Sequence, residues 1–469
     1  MSNRLQTSDE RFKKGKALRA KVPREKHSEL NGFKGRDPVA ILAESDPLRV
    51  QSLLPVRYAR MLQSPFTFLR GAAAVMAADL SHAPMVGIPV QACGDCHLMN
   101  FGAFATPEDN ILFDINDFDE TLPGVDFTVD VKRLAASVAV AALAAGLSPK
   151  RARSISEATV AAYRERIFAN YTLSPLQMWH SRIDLEKEVE AITNKTLRRK
   201  LLSIIDKARG GGLEGDDNFP HLVVGDHPRI EDKPPLIYHL KNRGKDQHLD
   251  VRAVFAAYRD TLAPDRRHVL DGYKLVDLAF KVIGIGSVGT FCAIGLFMSG
   301  DKVPLFLQLK EAQHSVLERL GRTLRYQGNE GQRVVEGQRA LQAASDIFLG
   351  WTQDKTSGRQ FYIRQLKNRR LGTVGELVEE EALADYGALC GRTLARAHAR
   401  TGDAAMIAGY IGKGAAFDGA IAEFAMAYAK QTWLDYDALV AAKAVVPPKE
   451  TTTKPKVGTP RRSATKASA

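Results

Sequence analysis

The run Gly284-Ile285-Gly286-Ser287-Val288-Gly289 constrains this chain more than any other segment. A dinucleotide-binding glycine fingerprint must open a helix, so the flanks decide what the run can be. Here Gly289 leads into Thr290-Phe291-Cys292-Ala293-Ile294-Gly295-Leu296-Phe297, which has no charged helical face. A Ser299-Gly300-Asp301 turn and a second strand-like run, Leu305–Leu309, follow. The segment reads as an antiparallel hairpin whose glycine loop offers backbone N–H groups to nucleotide phosphates. Gly284, Gly286, Ser287 and Gly289 are the candidate nucleotide-binding positions.

The second strand ends on Lys310-Glu311. A lysine on an apolar strand is costly to bury without an anionic partner, so Lys310 is the candidate phosphate-pairing cation. The helix-like segment that follows offers Glu330 or Glu336 as its ion-pair partner, and Glu336 is preferred. The alternative is an edge-strand lysine facing water.

Two further motifs lie almost 190 residues upstream. In Gly94-Asp95-Cys96-His97-Leu98-Met99-Asn100, Asp and Asn stand five apart on a glycine-led loop after the strand-like Ile88–Cys93. That spacing suits an Asp that orients a substrate hydroxyl and an Asn that holds Mg2+. In Phe113-Asp114-Ile115-Asn116-Asp117-Phe118-Asp119, carboxylates follow an apolar strand and offer the hard oxygen ligands that Mg2+ needs. Candidate catalytic residues are Asp95 and His97; candidate metal ligands are Asn100, Asp117 and Asp119, with Asp114 as the alternative to Asp117. Taken singly, either motif is also what an Asx-rich turn would look like.

Gly94-Asp95-x-His97-x-x-Asn100 resembles the catalytic loop of the aminoglycoside phosphotransferase and choline kinase group of protein-kinase-like enzymes. Ile115-Asn116-Asp117-Phe118-Asp119 resembles their metal-binding segment, and Asp130-Val131-Lys132-Arg133-Leu134-Ala135 resembles the helix start that follows it. This second anchor favours Asp117 over Asp114. Cys93 stands where the group has a first His, and Asp119 where a Gly is common. From Arg57-Tyr58-Ala59-Arg60-Met61 through Pro65–Gly71 to Ala343-Ala344-Ser345-Asp346, the chain also resembles a bacterial family carrying only a domain-of-unknown-function label, DUF2252.

The resemblance implies an α+β, two-lobed, protein-kinase-like fold that uses ATP and Mg2+ to phosphorylate a hydroxyl-bearing acceptor. The order of the motifs is reversed relative to kinases, which implies a circular permutation. Leu394-Ala395-Arg396-Ala397-His398 resembles the helix that precedes a kinase catalytic loop, and the rejoined ends would lie near 270–273. The expected organisation is a basic, disordered arm (1–30), a larger helical lobe in two parts (31–271 and 371–442), a smaller antiparallel-sheet nucleotide lobe (272–370) and a basic, disordered tail (443–469). One Mg-nucleotide must bridge the motifs, so Lys310 and Asp117 should lie within about 10 Å.

Three other readings compete. The first is a non-catalytic nucleotide-binding scaffold, and the second is nucleotidyl transfer with the same residue types. The third is a redox or metal site at Cys93-Gly94-Asp95-Cys96, although Cys292 and Cys390 are isolated and supply no second pair. Arg70 reads as a structural ion-pair former or, less simply, a phosphate contact; Lys132 and Arg133 read as flanks of a helix start.

The net charge of +12 invites a nucleic-acid function until it is located. Residues 1–30 carry nine Lys/Arg against four Asp/Glu and residues 443–469 seven against one, leaving the body near +1. Such tails can touch polyanions without specificity, so no specific nucleic acid is expected. The apolar run Leu134–Leu147 is shorter than the roughly 20 residues of a membrane span. No membrane partner is expected, and four Cys in 469 residues fit a reducing cytoplasm.

Overall fold

The computed structural model describes residues 5–444 apart from 32–34, 107, 109, 210–218, 224, 226, 240–249, 283, 287 and 367–379. The chain is a mixed α+β protein. The arm opens with helix α1 (Ser8–Ala17), and α2 (Pro65–Gly71) and α3 (Ala73–Leu80) lead into β1 (Pro89–Ala92). Strands β2 (Phe101–Ala105), β3 (Ile111–Ile115) and β4 (Leu122–Asp126) follow, then helices α4 (Thr128–Ala144) and α5 (Pro149–Asn170).

Pairing among these four strands is nested: β1 pairs with β4 and β2 with β3, both antiparallel. The loop from β1 to β2 and the loop from β3 to β4 must therefore run side by side. Helix α4 is apolar all round and buried on nearly every face from Thr128 to Val140, as expected for a helix at the centre of a core. It packs between α5 and a C-terminal helix introduced below.

The strand-rich part is a six-stranded antiparallel sheet. Its members in chain order are β5 (Ile237–Tyr238), β6 (Tyr273–Lys281), β7 (Cys292–Ser299), β8 (Pro304–Glu311), β9 (Gly350–Gln353) and β10 (Gln360–Gln365). The spatial order is β9-β10-β8-β7-β6-β5. The central β7 is buried on both faces from Cys292 to Phe297, which is why it reads as a continuous apolar run. Helix α6 (Glu330–Leu341) lies between β8 and β9 in sequence; α7 (Leu383–Thr401), α8 (Ala404–Ile411) and α9 (Ala416–Ala444) complete the chain. Gly387 and Gly391 let α7 approach α5 so closely that a Cβ at either would strike Thr159. Helix α9 is the second neighbour of α4.

Two large apolar clusters form. One joins β1–β4 with α4, α5, α7 and α9; the other lies on the sheet, around Phe280, Phe291, Leu307 and Phe361. The sheet part begins earlier than the boundary expected at 272. Helix Val251–Asp260 sends Val254, Phe255 and Tyr258 into the sheet core, with Tyr258 donating to the Phe348 carbonyl at 2.5 Å.

The arm departs from expectation most. Instead of being disordered, residues 8–28 form α1 and short 3-10 turns docked on α8. Gly15 meets the Met406 backbone and Gly409 meets Phe12, leaving no room for a Cβ at either contact. Arg19 donates to the carbonyls of Tyr410 (2.8 Å) and Gly409 (2.5 Å), and Arg24 to that of Ile411 (3.1 Å). These are the unpaired carbonyls at the C-terminal end of α8, where cations are favoured. Two charges that look solvated in the sequence are helix caps supplied from the other end of the chain. The tail from 445 onward and the glycine run 210–212 lie outside the described residues. Among the described residues no helix is long and apolar enough to cross a membrane.

Candidate functional site

Strand β1 delivers the chain to Gly94 with φ +90, a left-handed conformation, and a Cβ there would strike the Glu120 carbonyl. Only glycine turns this corner without strain. The turn is held from below by Asp130, wholly buried at the start of α4, which accepts from Cys93 N (2.7 Å) and Gly94 N (3.0 Å). His398 Nε2 of α7 approaches the same carboxylate at 3.2 Å.

Asp95 then projects toward a cleft of about 1320 Å3 lined by Asp95, Asn100, Asp117, Gly284, Gly286 and Lys310 among others. Its Oδ1 accepts from Arg133 Nε (3.0 Å) and Nη2 (2.7 Å). Its Oδ2 lies 3.6 Å from His97 Nε2. Burial pushes the His97 imidazole down to about 4, against the raising effect of Asp95, so it is neutral near pH 7. Its Nδ1 accepts from Met99 N at 3.1 Å, which places the proton on Nε2, toward Asp95. Arg133, expected as a mere helix flank, is instead a buried clamp on Asp95. Lys132 points the opposite way, 4.8 Å over the Phe424 ring.

Asn100 ties the two neighbouring loops together. Its Nδ2 donates to the carbonyls of Asp95 (2.9 Å) and Asp117 (3.4 Å), and its own carbonyl accepts from Asn116 N (2.9 Å). Asp117 keeps 41% of its side chain exposed at the cleft, whereas Asp114 is buried on Arg396 at 2.7 Å. The hard-oxygen donor set that faces the cleft is thus Asp117 with Asn100, and Asp114 is a structural ion-pair member.

Lys310, 1% exposed, reaches across from β8. Its Nζ lies 2.7 Å from Asp119 Oδ2 and 3.7 Å from Asp117 Oδ1. Burial alone would push this ammonium down; the Asp117 and Asp119 carboxylates reverse that and hold it above its ordinary range. One expectation is corrected here: Glu336 is exposed on α6 and accepts from Gln332 (2.7 Å) rather than from Lys310. Asp119 is engaged through both oxygens, with Tyr362 OH donating to Oδ1 at 2.7 Å, and it anchors the lysine. Glu330, the other candidate partner, pairs with Arg333.

The glycine run joins β6 to β7 as a loop, with Gly284 (φ +71) and Gly289 (φ +91) in left-handed conformations. Arg60 grips the Gly284 carbonyl, Arg49 Nη1 that of Val288 (2.5 Å), and Val50 N that of Gly289 (2.7 Å). Gly286 backs onto the carbonyl of Arg70, itself a cleft residue. Ser287 lies outside the described residues.

Buried Arg333 of α6, which nothing in the local sequence singled out, donates to the carbonyls of Thr121, Asp119 (3.0 Å) and Gln313 (2.8 Å). It joins the acidic loop to the sheet. Glu120 does the same from the other side, its Oε2 accepting from Val316 N (2.7 Å) while burial pushes its carboxyl up to about 7. Cys93 and Cys96 are free and buried, and the Cys96 thiol is pushed well up by burial. That keeps it protonated and unreactive. Among the described residues, the one group of three side chains spaced to hold a metal contains no cysteine.

A family model described as an uncharacterized protein conserved in bacteria, DUF2252, matches residues 49–442. No curated protein and no solved structure matches the chain.

Proposed function

The chain belongs to the DUF2252 family, and we propose that it is a permuted, two-lobed, protein-kinase-like phosphotransferase using Mg-ATP and a hydroxyl-bearing acceptor in the cytoplasm. One observation carries this reading. Lys310 and the acidic loop, 191 positions apart, meet at 2.7 Å in a cleft that the glycine loop also lines. The Lys310–Asp117 separation of 3.7 Å is well inside the span of one metal-nucleotide. Permutation is supported by the end of α7: Thr401 Oγ1 accepts from Gln91 N at 3.3 Å, and Gly402 abuts Pro89 and Val90. The helix therefore finishes where the strand opening the Asp95 loop begins.

In this reading Asp117 and Asn100 would hold Mg2+, which would supply neutralisation of phosphate charge. The glycine loop would cover the phosphates and Lys310 would pair with them. Asp95 orients the acceptor hydroxyl through Oδ2 while Arg133 keeps Oδ1. His97 Nε2 stands 3.6 Å from Oδ2, beside the position the acceptor would take. Positioning and charge neutralisation of this kind make up most of phosphoryl-transfer catalysis.

The Arg133 clamp also favours a second reading, a nucleotide-binding scaffold without transfer, because one oxygen of Asp95 is already taken by two structural hydrogen bonds from the guanidinium. The test is Mg-dependent ATP binding with product analysis by mass spectrometry, comparing wild type with Asp117→Ala. The proposal expects binding and a phosphorylated product in the wild type only. Binding without product supports the scaffold, a nucleotidylated product identifies nucleotidyl transfer, and binding unaffected by Asp117→Ala overturns the assignment.

A further inference from the structure

We infer that His314, Glu318 and Glu330 form a separate site for a transition-metal dication of the zinc class on the sheet-side wall of the cleft. The three come from different pieces of backbone: the loop after β8, the 3-10 turn Val316–Leu320, and the first residue of α6. One ligand atom from each lies within 4.8 Å of the others. His314 Nδ1 is 2.8 Å from Glu330 Oε1 and 3.7 Å from Glu318 Oε1. Ligands at about 2.0–2.2 Å from a tetrahedral ion stand roughly 3.4 Å apart, so these separations bracket what a zinc-class ion needs.

A second observation points to a cation independently of the clustering. Glu330 is 4% exposed, and its Oε1 has no hydrogen-bond partner despite the nearby imidazole. Its other oxygen is fixed by Arg333 Nε at 2.5 Å, so the carboxylate cannot turn away to satisfy Oε1. Glu318 is fixed too, because its Oε1 accepts from Tyr326 N at 3.2 Å. Two carboxylates with the one Arg333 guanidinium paired to Glu330 leave an excess of negative charge beside the His314 Nδ1 atom. An imidazole with carboxylate oxygens suits Zn2+ better than Mg2+, which prefers oxygen ligands and keeps its waters. Three protein ligands leave a coordination position for an exogenous oxygen donor, and all three residues line the cleft.

The test is calorimetric titration of chelator-stripped full-length protein with Zn2+ alone, without nucleotide or Mg2+. One tight ion per chain is expected in the wild type and in Asp117→Ala. His314→Ala, an exposed position whose loss leaves the core intact, should weaken that ion at least about a hundredfold, and Glu330→Gln should do the same with an unchanged circular dichroism spectrum. Cobalt(II) in place of zinc should give a visible absorption band that His314→Ala removes. No tight ion in the wild type, or unchanged affinity in His314→Ala, overturns the site. The readout is binding, so it stands apart from whether phosphoryl transfer occurs.

Discussion

Lys310 Nζ and Asp119 Oδ2 are 2.7 Å apart, and this ion pair is one of the links that lock the sheet to the acidic loop. Asp119 occupies a position where kinase-like motifs often carry glycine, so the lock accompanies a departure from that pattern. Removing one member leaves the other without its counter-charge. Lys310→Met should lower unfolding free energy by about 3 kcal/mol, read from urea denaturation, and should abolish nucleotide binding. Retained binding would remove Lys310 from its phosphate role.

In the phosphotransferase proposal Asp95 orients the acceptor and Asp117 holds the metal, so Asp95 is expected to matter to turnover and not to nucleotide affinity. Asp95→Asn should keep Mg-ATP affinity within about twofold and reduce turnover by about 100-fold or more. Unchanged turnover would show that Asp95 only anchors Arg133.

Gly94 combines φ +90 with contact against the Glu120 carbonyl. Gly94→Ala must force the two loops apart, at a cost of about 2 kcal/mol or more. A thermal melt should show the loss, and a nearby control at Gly87, also at positive φ but with nothing within 4 Å of a Cβ, should show only the smaller backbone component.

The arm should be acid-labile. His27 is buried against Tyr410, and burial pushes its imidazole down from 6.5 to about 3. The folded state thus binds fewer protons than the unfolded state between those values, and stability falls as pH drops below about 6.5 toward 3. The loss between pH 7 and pH 5 should be about 2 kcal/mol at about 1.4 kcal/mol per pH unit. Limited proteolysis of the arm reports it separately from His97, which shifts in the same direction inside the cleft. His27→Gln should flatten the arm's pH dependence; an unchanged profile would exclude His27 as its origin.

What the sequence made legible were features that local chemistry enforces. The glycine run between two apolar stretches had to be a loop on a hairpin, the Asp95 loop had to follow a strand, and a lysine on β8 had to find an anion. What stayed hidden were partners chosen by the fold. Arg133 sits on an apolar helix, yet nothing in its neighbourhood says that it will close on Asp95. Arg333 is the same case on α6, where its targets are backbone carbonyls. The sequence offers Glu330 and Glu336 alike as partners for Lys310, and the helix turns Glu336 outward. The arm is hard to read because nothing in the sequence around Arg19 and Arg24 reveals a helix end waiting some 390 residues away. Charge shows in composition, whereas a cap shows only once the chain has closed.

The docking of the arm on α8 has a consequence for synthesis. Residues 8–28 leave the ribosome well before their docking surface, because the carbonyls that receive Arg19 and Arg24 belong to Tyr410 and Ile411. At about 5–20 residues per second, roughly 20 to 80 s separate the emergence of the two surfaces. For that interval the docking face of α1, around Phe12 and Gly15, has no native place to go, and the nascent chain carries a basic segment open to proteases. The arm can close only after residues 404–411 have been made, so a chain truncated before them should leave α1 open to protease.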